Sequence, residues 1–316
     1  MLEIEVLEMS TMPDGPDVTV VLARFGRRPQ GEPRLLTGGE DNRNVRVATE
    51  AGEVVVRQYL LSAADKVAAE LHVVAFLARA GYPTPAPFPA DNGELLLRAE
   101  HPIAVFPFCP GMVPSRLTED LAEQCGGLLA RFHLLTAGWE DPRIPRVDRV
   151  GQLRGVAGSS LAIEGADEWR RRTAAFLDTH RDDLRALDDL PAGPLHHDLH
   201  RHNLLVADDQ VVAVLDFDEL NHGPLIIDLA RVWHYAAMEQ DDRCLPARLV
   251  EAVITGYDKV RPLAPAERAL LPMAFDLVNL VEAAGFLGHQ PDVPWVAHVD
   301  ECHSWLAYRL NAGRDW

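Results

Sequence analysis

A chain of 316 residues, 47% of them hydrophobic, has material for two cores and is long for one. Its formal charge of -18 argues against nucleic acid or an anionic membrane as the main partner, since both would be repelled, and it favours a cationic small molecule. The four cysteines, Cys109, Cys125, Cys244 and Cys302, lack C-x-x-C spacing and suit reduced thiols. The N-terminal stretch is acidic where a signal peptide is basic, and no apolar run approaches the ~20 residues of a membrane span, so a cytoplasmic protein is expected. Nothing in the composition sets an oligomeric state.

Residues 1 to 34 are turn-rich around the apolar run Val18 to Leu22 and carry no evident chemistry. From Leu35 to Val47 the pattern reads strand, Gly38-Gly39 turn, strand, and after Glu50 to Glu53 another strand, Val54 to Tyr59. Such a glycine hairpin can lay backbone N–H groups over nucleotide phosphates. A helix follows over Asp65 to Leu77, with Glu70 on it, and Gly81 to Pro87 forces an extended exit. Leu95 to Leu97 and Ile103 to Phe108 read as strands that complete a five-stranded sheet, and Cys109-Pro110-Gly111 breaks the pattern. The division is therefore expected at residues 1–108 and 109–316.

Beyond it the chain turns helical. Leu117 to His133 has a threonine cap and an apolar stripe through Leu121, Leu128, Leu129 and Phe132, with His133 read as a packed structural histidine. Residues 138 to 166 read as an irregular, flexible segment beside the substrate entrance, and Glu168 to Leu187 as one amphipathic helix. The C-terminal third reads as helices over Leu245 to Tyr257, Ala264 to Gly285 and Val296 to Asn311. In the second of these, Asp276, Asn279 and Glu282 recur every three residues and share a face; they and Glu219 are candidate contacts for an amine-bearing substrate, against the plainer reading of a solvated face.

Residues 196 to 218 carry the most specific signal. His196-His197-Asp198-Leu199-His200-Arg201-His202-Asn203 is followed by two apolar runs split by Asp208-Asp209-Gln210, a hairpin that leads to Asp216-Phe217-Asp218. An Asp, an Asn five positions later and a second Asp beyond a hairpin supply what phosphoryl transfer needs. Asn203 and Asp216 offer hard oxygens to a metal on nucleotide phosphates, and Asp198 offers a carboxylate to an acceptor hydroxyl. Four histidines in seven residues also suggest a zinc cluster, which would leave Asn203 and Asp216 unexplained.

The stretch resembles the aminoglycoside phosphotransferase family and its relatives among type II homoserine kinases and choline kinases, whose loop reads H-G-D-L-H-x-x-N. His197 stands at the family's glycine and Asp218 at the third place of its D-F-G-like triplet. The resemblance implies an α+β, bilobal, protein-kinase-like fold, with an N-terminal lobe of antiparallel sheet plus helix and a largely helical C-terminal lobe. It implies Asp198 as catalytic base, Asn203 and Asp216 as magnesium ligands, and His196 and Asp228 of the D-L-A helix as supports of the loop. It places ATP or GTP against Gly38, Gly39 and Asn42 of a G-G-x-x-N-like turn, against Arg57 paired with Glu70, and against Phe106 and Phe108 at the hinge. The expected activity is magnesium-dependent transfer of a γ-phosphate to a hydroxyl of an aminoglycoside or other antibiotic-like molecule, alternatively of homoserine or another amino alcohol or sugar. His197 for glycine and Arg57 for lysine also motivate a silent nucleotide-binding protein.

Overall fold

The computed structural model describes residues 16–36, 42–159, 163–239, 243–288 and 298–313. Asp17 caps the first helix, α1 (Val18–Arg24), its carboxylate accepting from the N–H groups of Thr19 and Val20 at 2.8 and 3.4 Å. Then come β1 (Arg34–Leu36), β2 (Asn42–Thr49), β3 (Gly52–Tyr59), α2 (Ala64–Arg79) and β4 (Ile103–Pro107). The four strands form one antiparallel sheet in sequence order.

Alternation along the strands gives the sheet two apolar faces. Val45, Val47, Val54, Val56, Ile103 and Val105 pack with Val21 and Leu22 of α1, while Tyr59 and Ala104 pack with Val67 and Leu71 of α2. Arg57, two residues from Tyr59, belongs to the α2 face. The fifth strand expected over Leu95 to Leu97 is reduced to a single bridge, with Leu97 and Ile103 exchanging N–H···O bonds of 2.8 and 3.1 Å. Pairing stops there because Pro102 has no N–H to give, and its carbonyl accepts from Tyr59 instead, at 2.9 Å.

The chain continues through α3 (Glu119–Leu135), α4 (Arg149–Ala157), α5 (Ala166–Thr179), α6 (Arg181–Ala186) and β5 (Ala192–Leu195). The segment 138 to 166 is thus not irregular throughout: it contains α4, which Asp148 caps by accepting from Gly151 N–H at 2.8 Å. The single helix expected over Glu168 to Leu187 breaks at His180, whose φ of -100° and ψ of 23° leave the α region between α5 and α6. After β5 come β6 (Leu204–Ala207), β7 (Gln210–Val214), β8 (Asn221–Pro224), α7 (Leu225–Met238), α8 (Ala247–Val260), α9 (Pro265–Gly288) and α10 (His303–Asn311). Asp208 and Asp209 turn the β6–β7 hairpin with φ of 50° and 59°, the positive values that a two-residue loop requires and that aspartate tolerates.

Two compact units result. One runs through Met112 and takes in Asp141–Ile144 and Leu205–Asp218; the other holds Val113–Glu140, Pro145–Leu204 and the chain from Glu219 on. The first unit therefore reaches past residue 108, and Met112 and Val206 exchange backbone hydrogen bonds of 2.9 Å. In the second unit α3 and α8 touch backbone to backbone. A Cβ on Gly126 would lie 2.0 Å from Val253 O, and one on Gly256 1.8 Å from Glu123 O, so no larger residue fits either position without moving a helix. Helix α9 is long and apolar enough to cross a membrane, which the sequence reading did not register; 61% of its apolar window is buried inside the fold, as in a core helix.

Candidate active site

The loop after β5 starts from a fixed point. Leu195 pairs with Asn221 of β8, so His196 leaves the ladder directly, and β8 runs straight into α7. The first turn of α7 carries Asp228, which is fully buried. One of its oxygens accepts from His196 N–H at 2.7 Å and from His133 Nε2 at 3.1 Å, and the other from His197 N–H at 2.7 Å. Burial pushes the Asp228 carboxyl up, but the His133 hydrogen bond and the neighbouring imidazoles outweigh it and hold the pKa below the usual carboxylate range. His133 accepts from Tyr257 Oη on its other nitrogen, at 2.7 Å.

His197 has φ of +66°, a left-handed conformation in which glycine is at ease and a side chain is strained by roughly 1–2 kcal/mol. Arg231 Nε donates to its carbonyl at 3.1 Å. Next in the chain, Asp198 is held by both oxygens. Oδ1 accepts from the Tyr235 hydroxyl; Oδ2 accepts from Asn203 Nδ2 at 2.7 Å and lies 3.4 Å from His200 Nε2. Burial raises its pKa, yet the hydrogen bonds and charges of His200, Tyr235 and His196 prevail and keep the group a carboxylate. The loop's far end is tied by Arg201, which donates to Pro114 O at 3.1 Å and pairs with Glu239 at 3.1 Å.

Asn203 spends its amide nitrogen on Asp198, at 2.9 Å to the carbonyl as well as 2.7 Å to the carboxylate. Its Oδ1 makes no hydrogen bond among the described residues and is the hard oxygen that this side chain has left to offer a cation. No group of three or more His, Cys, Asp or Glu among the described residues is arranged to hold a metal, which removes the zinc reading of the four histidines.

In the first unit Asp216 sits at φ of +64° at the end of the β6–β7 hairpin. Arg57 donates from one nitrogen to Asp216 at 2.6 Å and to Asp218 at 3.2 Å, and Asn42 donates to Asp218 at 2.8 Å. Asp218 is pushed up to about 6, by burial first and then by the adjacent Asp216 charge. The Arg57–Glu70 ion pair expected from the sequence is absent. Glu70 instead accepts from the Tyr59 hydroxyl at 3.1 Å, and burial pushes its carboxyl up to about 8 against the pull of the Arg57 charge.

That inversion has a measurable consequence. A buried acid with a raised pKa favours folding below its unfolded value of about 4.5 and loses that contribution as pH rises through about 8, at no more than about 1.4 kcal/mol per pH unit. Glu70→Gln is therefore expected to flatten the fall in urea-unfolding stability between pH 5 and pH 9 relative to the unmodified protein, and equal slopes would contradict it.

The remaining expected nucleotide contacts divide. Gly38 and Gly39 lie outside the described residues. Phe106 packs against the α2-side core, and Phe108 gives its N–H to Glu53 O at 3.0 Å while its ring lies under the Arg46 guanidinium at 3.7 Å. Of the acceptor candidates, Asn279 is sealed in the core, its Oδ1 on His234 Nδ1 at 2.9 Å and its Nδ2 on Phe275 O at 2.8 Å. Glu282 pairs with Arg231 at 3.0 Å, Glu219 is exposed, and Asp276 is pushed up to about 7 by burial. Sequence reasoning missed Tyr235, Arg231 and the grip of Asp218 on Arg57. The first two lie seven and three residues beyond Asp228 on one helix, a spacing that would have flagged them.

Residues 32–263 match the phosphotransferase enzyme family. The chain belongs to that family. Homoserine kinases are among its relatives: that of Rhodospirillum rubrum is 31% identical over 245 residues, covering 75% of this chain and 74% of its own, and that of Gluconobacter oxydans is 27% identical over 251 residues, covering 75% and 76%. Two solved structures share the phosphotransferase fold. An amicoumacin kinase in complex with AMP-PNP and Ca2+ has a TM-score of 0.69 at 15% identity, over 94% of this chain and 93% of its own. A microcompartment-associated aminopropanol kinase has a TM-score of 0.68 at 24% identity, over 93% and 95%. The protein is a small-molecule phosphotransferase with an alcohol group as acceptor, and its fold is the kinase-like α+β arrangement of two units.

Proposed function

We propose that this phosphotransferase moves the γ-phosphoryl group of ATP or GTP, with magnesium, onto the hydroxyl of a small amino alcohol, with homoserine the first acceptor to test. The observation that carries the reaction is Asp198, an ionised carboxylate positioned on both oxygens, with Asn203 turned so that its own oxygen stays free. The acceptor class rests on the homoserine kinases to which the chain is related and on the formal charge of -18, which welcomes an amine. Antibiotic-modifying kinases share the fold at 12–18% identity, which leaves an aminoglycoside as the second reading.

In this reading Asp198 orients the acceptor hydroxyl and takes its proton as the oxygen attacks phosphorus. Asn203 and Asp216 would each offer an oxygen to magnesium, which would supply neutralisation of phosphate charge. Arg57 exchanges its carboxylates for phosphate oxygens, and Asn42 borders the nucleotide. Asp228 and His196 hold the loop so that little reorganisation is left for the transition state, which is loose and needs charge neutralisation more than covalent help. The deciding assay incubates the protein with magnesium and either ATP or GTP against homoserine, 1-amino-2-propanol, ethanolamine, choline and an aminoglycoside, and follows acceptor mass. One added phosphate on an amino alcohol is the expected result; phosphate on the aminoglycoside alone would overturn the acceptor assignment.

A further inference from the structure

One stripe of α7 grips the catalytic loop at every peptide that matters. Asp228, Arg231 and Tyr235 lie at i, i+3 and i+7, a single helix face. Asp228 takes the N–H groups of His196 and His197, Arg231 Nε takes the His197 carbonyl, and the Tyr235 hydroxyl donates to Asp198 Oδ1. The last two members are tied together, since Arg231 Nη2 donates to Tyr235 Oη at 2.9 Å and its guanidinium lies 4.7 Å from the Tyr235 ring centroid. Glu282 of α9 anchors the arginine from behind at 3.0 Å, and the Tyr235 ring is backed by His200 at 4.6 Å between centroids.

We propose that Arg231 and Tyr235 are positioning residues for Asp198, and that Arg231 in particular allows a histidine to stand where the loop demands a left-handed backbone. The inference rests on the reading of Asp198 as the base. His197 at φ +66° gains by relaxing toward ordinary backbone values, and relaxation would swing the next residue, Asp198, off its line. Asp228 fixes the peptide before His197, which leaves rotation about its own φ and ψ. Arg231 blocks that rotation by holding the carbonyl on the far side. Tyr235 then fixes the carboxylate itself. Of its two oxygens one is oriented by a phenol on a rigid helix and the other by an amide within the loop, so the lone pairs left for the acceptor hydroxyl have a set direction.

The pairing of Arg231 with the His197 backbone makes the idea testable by rescue. Glycine holds a positive φ without strain, so it should replace the arginine's restraint but not the tyrosine's. Arg231→Lys, which keeps the charge beside Glu282, and Tyr235→Phe are each expected to lower kcat roughly 10- to 100-fold with nucleotide KM within about twofold of the parent, the size of loss that sub-ångström misplacement causes. Adding His197→Gly should return roughly five- to tenfold to Arg231→Lys and nothing to Tyr235→Phe. An undiminished kcat in both single variants, or equal effects of His197→Gly on the two backgrounds, would overturn the proposal. Asp198→Asn assayed alongside separates the two levels: if it turns over normally the base assignment has failed, and if it is inactive while Arg231→Lys and Tyr235→Phe are both as active as the parent, only the positioning role has.

Discussion

Asp198→Asn is expected to lower kcat by roughly 10²- to 10⁴-fold, the usual contribution of a positioned general base, while the affinity for nucleotide stays within about twofold. The substitution is nearly isosteric, and an amide oxygen can still accept from the Tyr235 hydroxyl, so the loop keeps that contact. What disappears is a carboxylate held in its ionised form against burial, and with it any group at that position able to receive the acceptor's proton. Binding of nucleotide and turnover should therefore separate cleanly. Calorimetric titration with a non-hydrolysable nucleotide measures the first and phosphate transfer to the acceptor measures the second. If both fell together, Asp198 would be a structural residue, and if neither fell the base would lie elsewhere.

The parts of the site that could be read in advance are those whose chemistry is written in short spacings. Asp198, Asn203 and Asp216 stand at fixed intervals around a hairpin whose turn residues, Asp208 and Asp209, announce themselves by their tolerance of positive φ. The D-L-A acid was flagged by the resemblance alone, since a helix-start acid favoured by the dipole is an equally sound reading of Asp228. Partner choice was not legible. Arg57 meets carboxylates 159 and 161 residues away, and nothing near it in the chain says that Asp216 and Asp218 will return to it while Glu70, 13 positions on, takes the Tyr59 hydroxyl. Asn279 failed for a related reason. Three polar residues at helical spacing look the same whether the face is wet or dry, and only the arrival of His234 and Arg231 from α7 shows that two of them are spent inside the fold. The sheet was over-read by one strand because Leu95 to Leu97 supplies apolar side chains to the core without a ladder to hold them, Leu96 being buried with the bridge at Leu97 alone. His197 is the most instructive position. By residue type it departs from the pattern the loop resembles, and yet it adopts a φ that glycine holds without strain.

Asp216→Asn carries the second large effect, and its sign depends on whether metal is present. Asparagine tolerates the left-handed backbone at φ +64° as aspartate does, so the hairpin should keep its course and only the charge is lost. With magnesium, kcat is expected to fall roughly 10²- to 10³-fold, because an amide oxygen is a weaker ligand for a hard cation and the charge developing on phosphate loses part of its neutralisation. Without magnesium the change should run the other way. Arg57 now spends its Nη2 on two carboxylates, at 2.6 and 3.2 Å, and one of those carboxylates becomes neutral. Asp218, raised to about 6 by burial and then by the neighbouring charge, loses the second of these causes and remains as the arginine's single anionic partner. A guanidinium with one competing anion instead of two, beside a site with less negative charge to repel phosphate, should bind metal-free nucleotide severalfold more tightly than the parent. Titrating nucleotide into both proteins with and without magnesium reads this directly. Convergence of the two affinities in the variant, from a parent in which magnesium strengthens binding, is the result that assigns Asp216 to the metal and Arg57 to the phosphates; an unchanged magnesium dependence would remove both roles together.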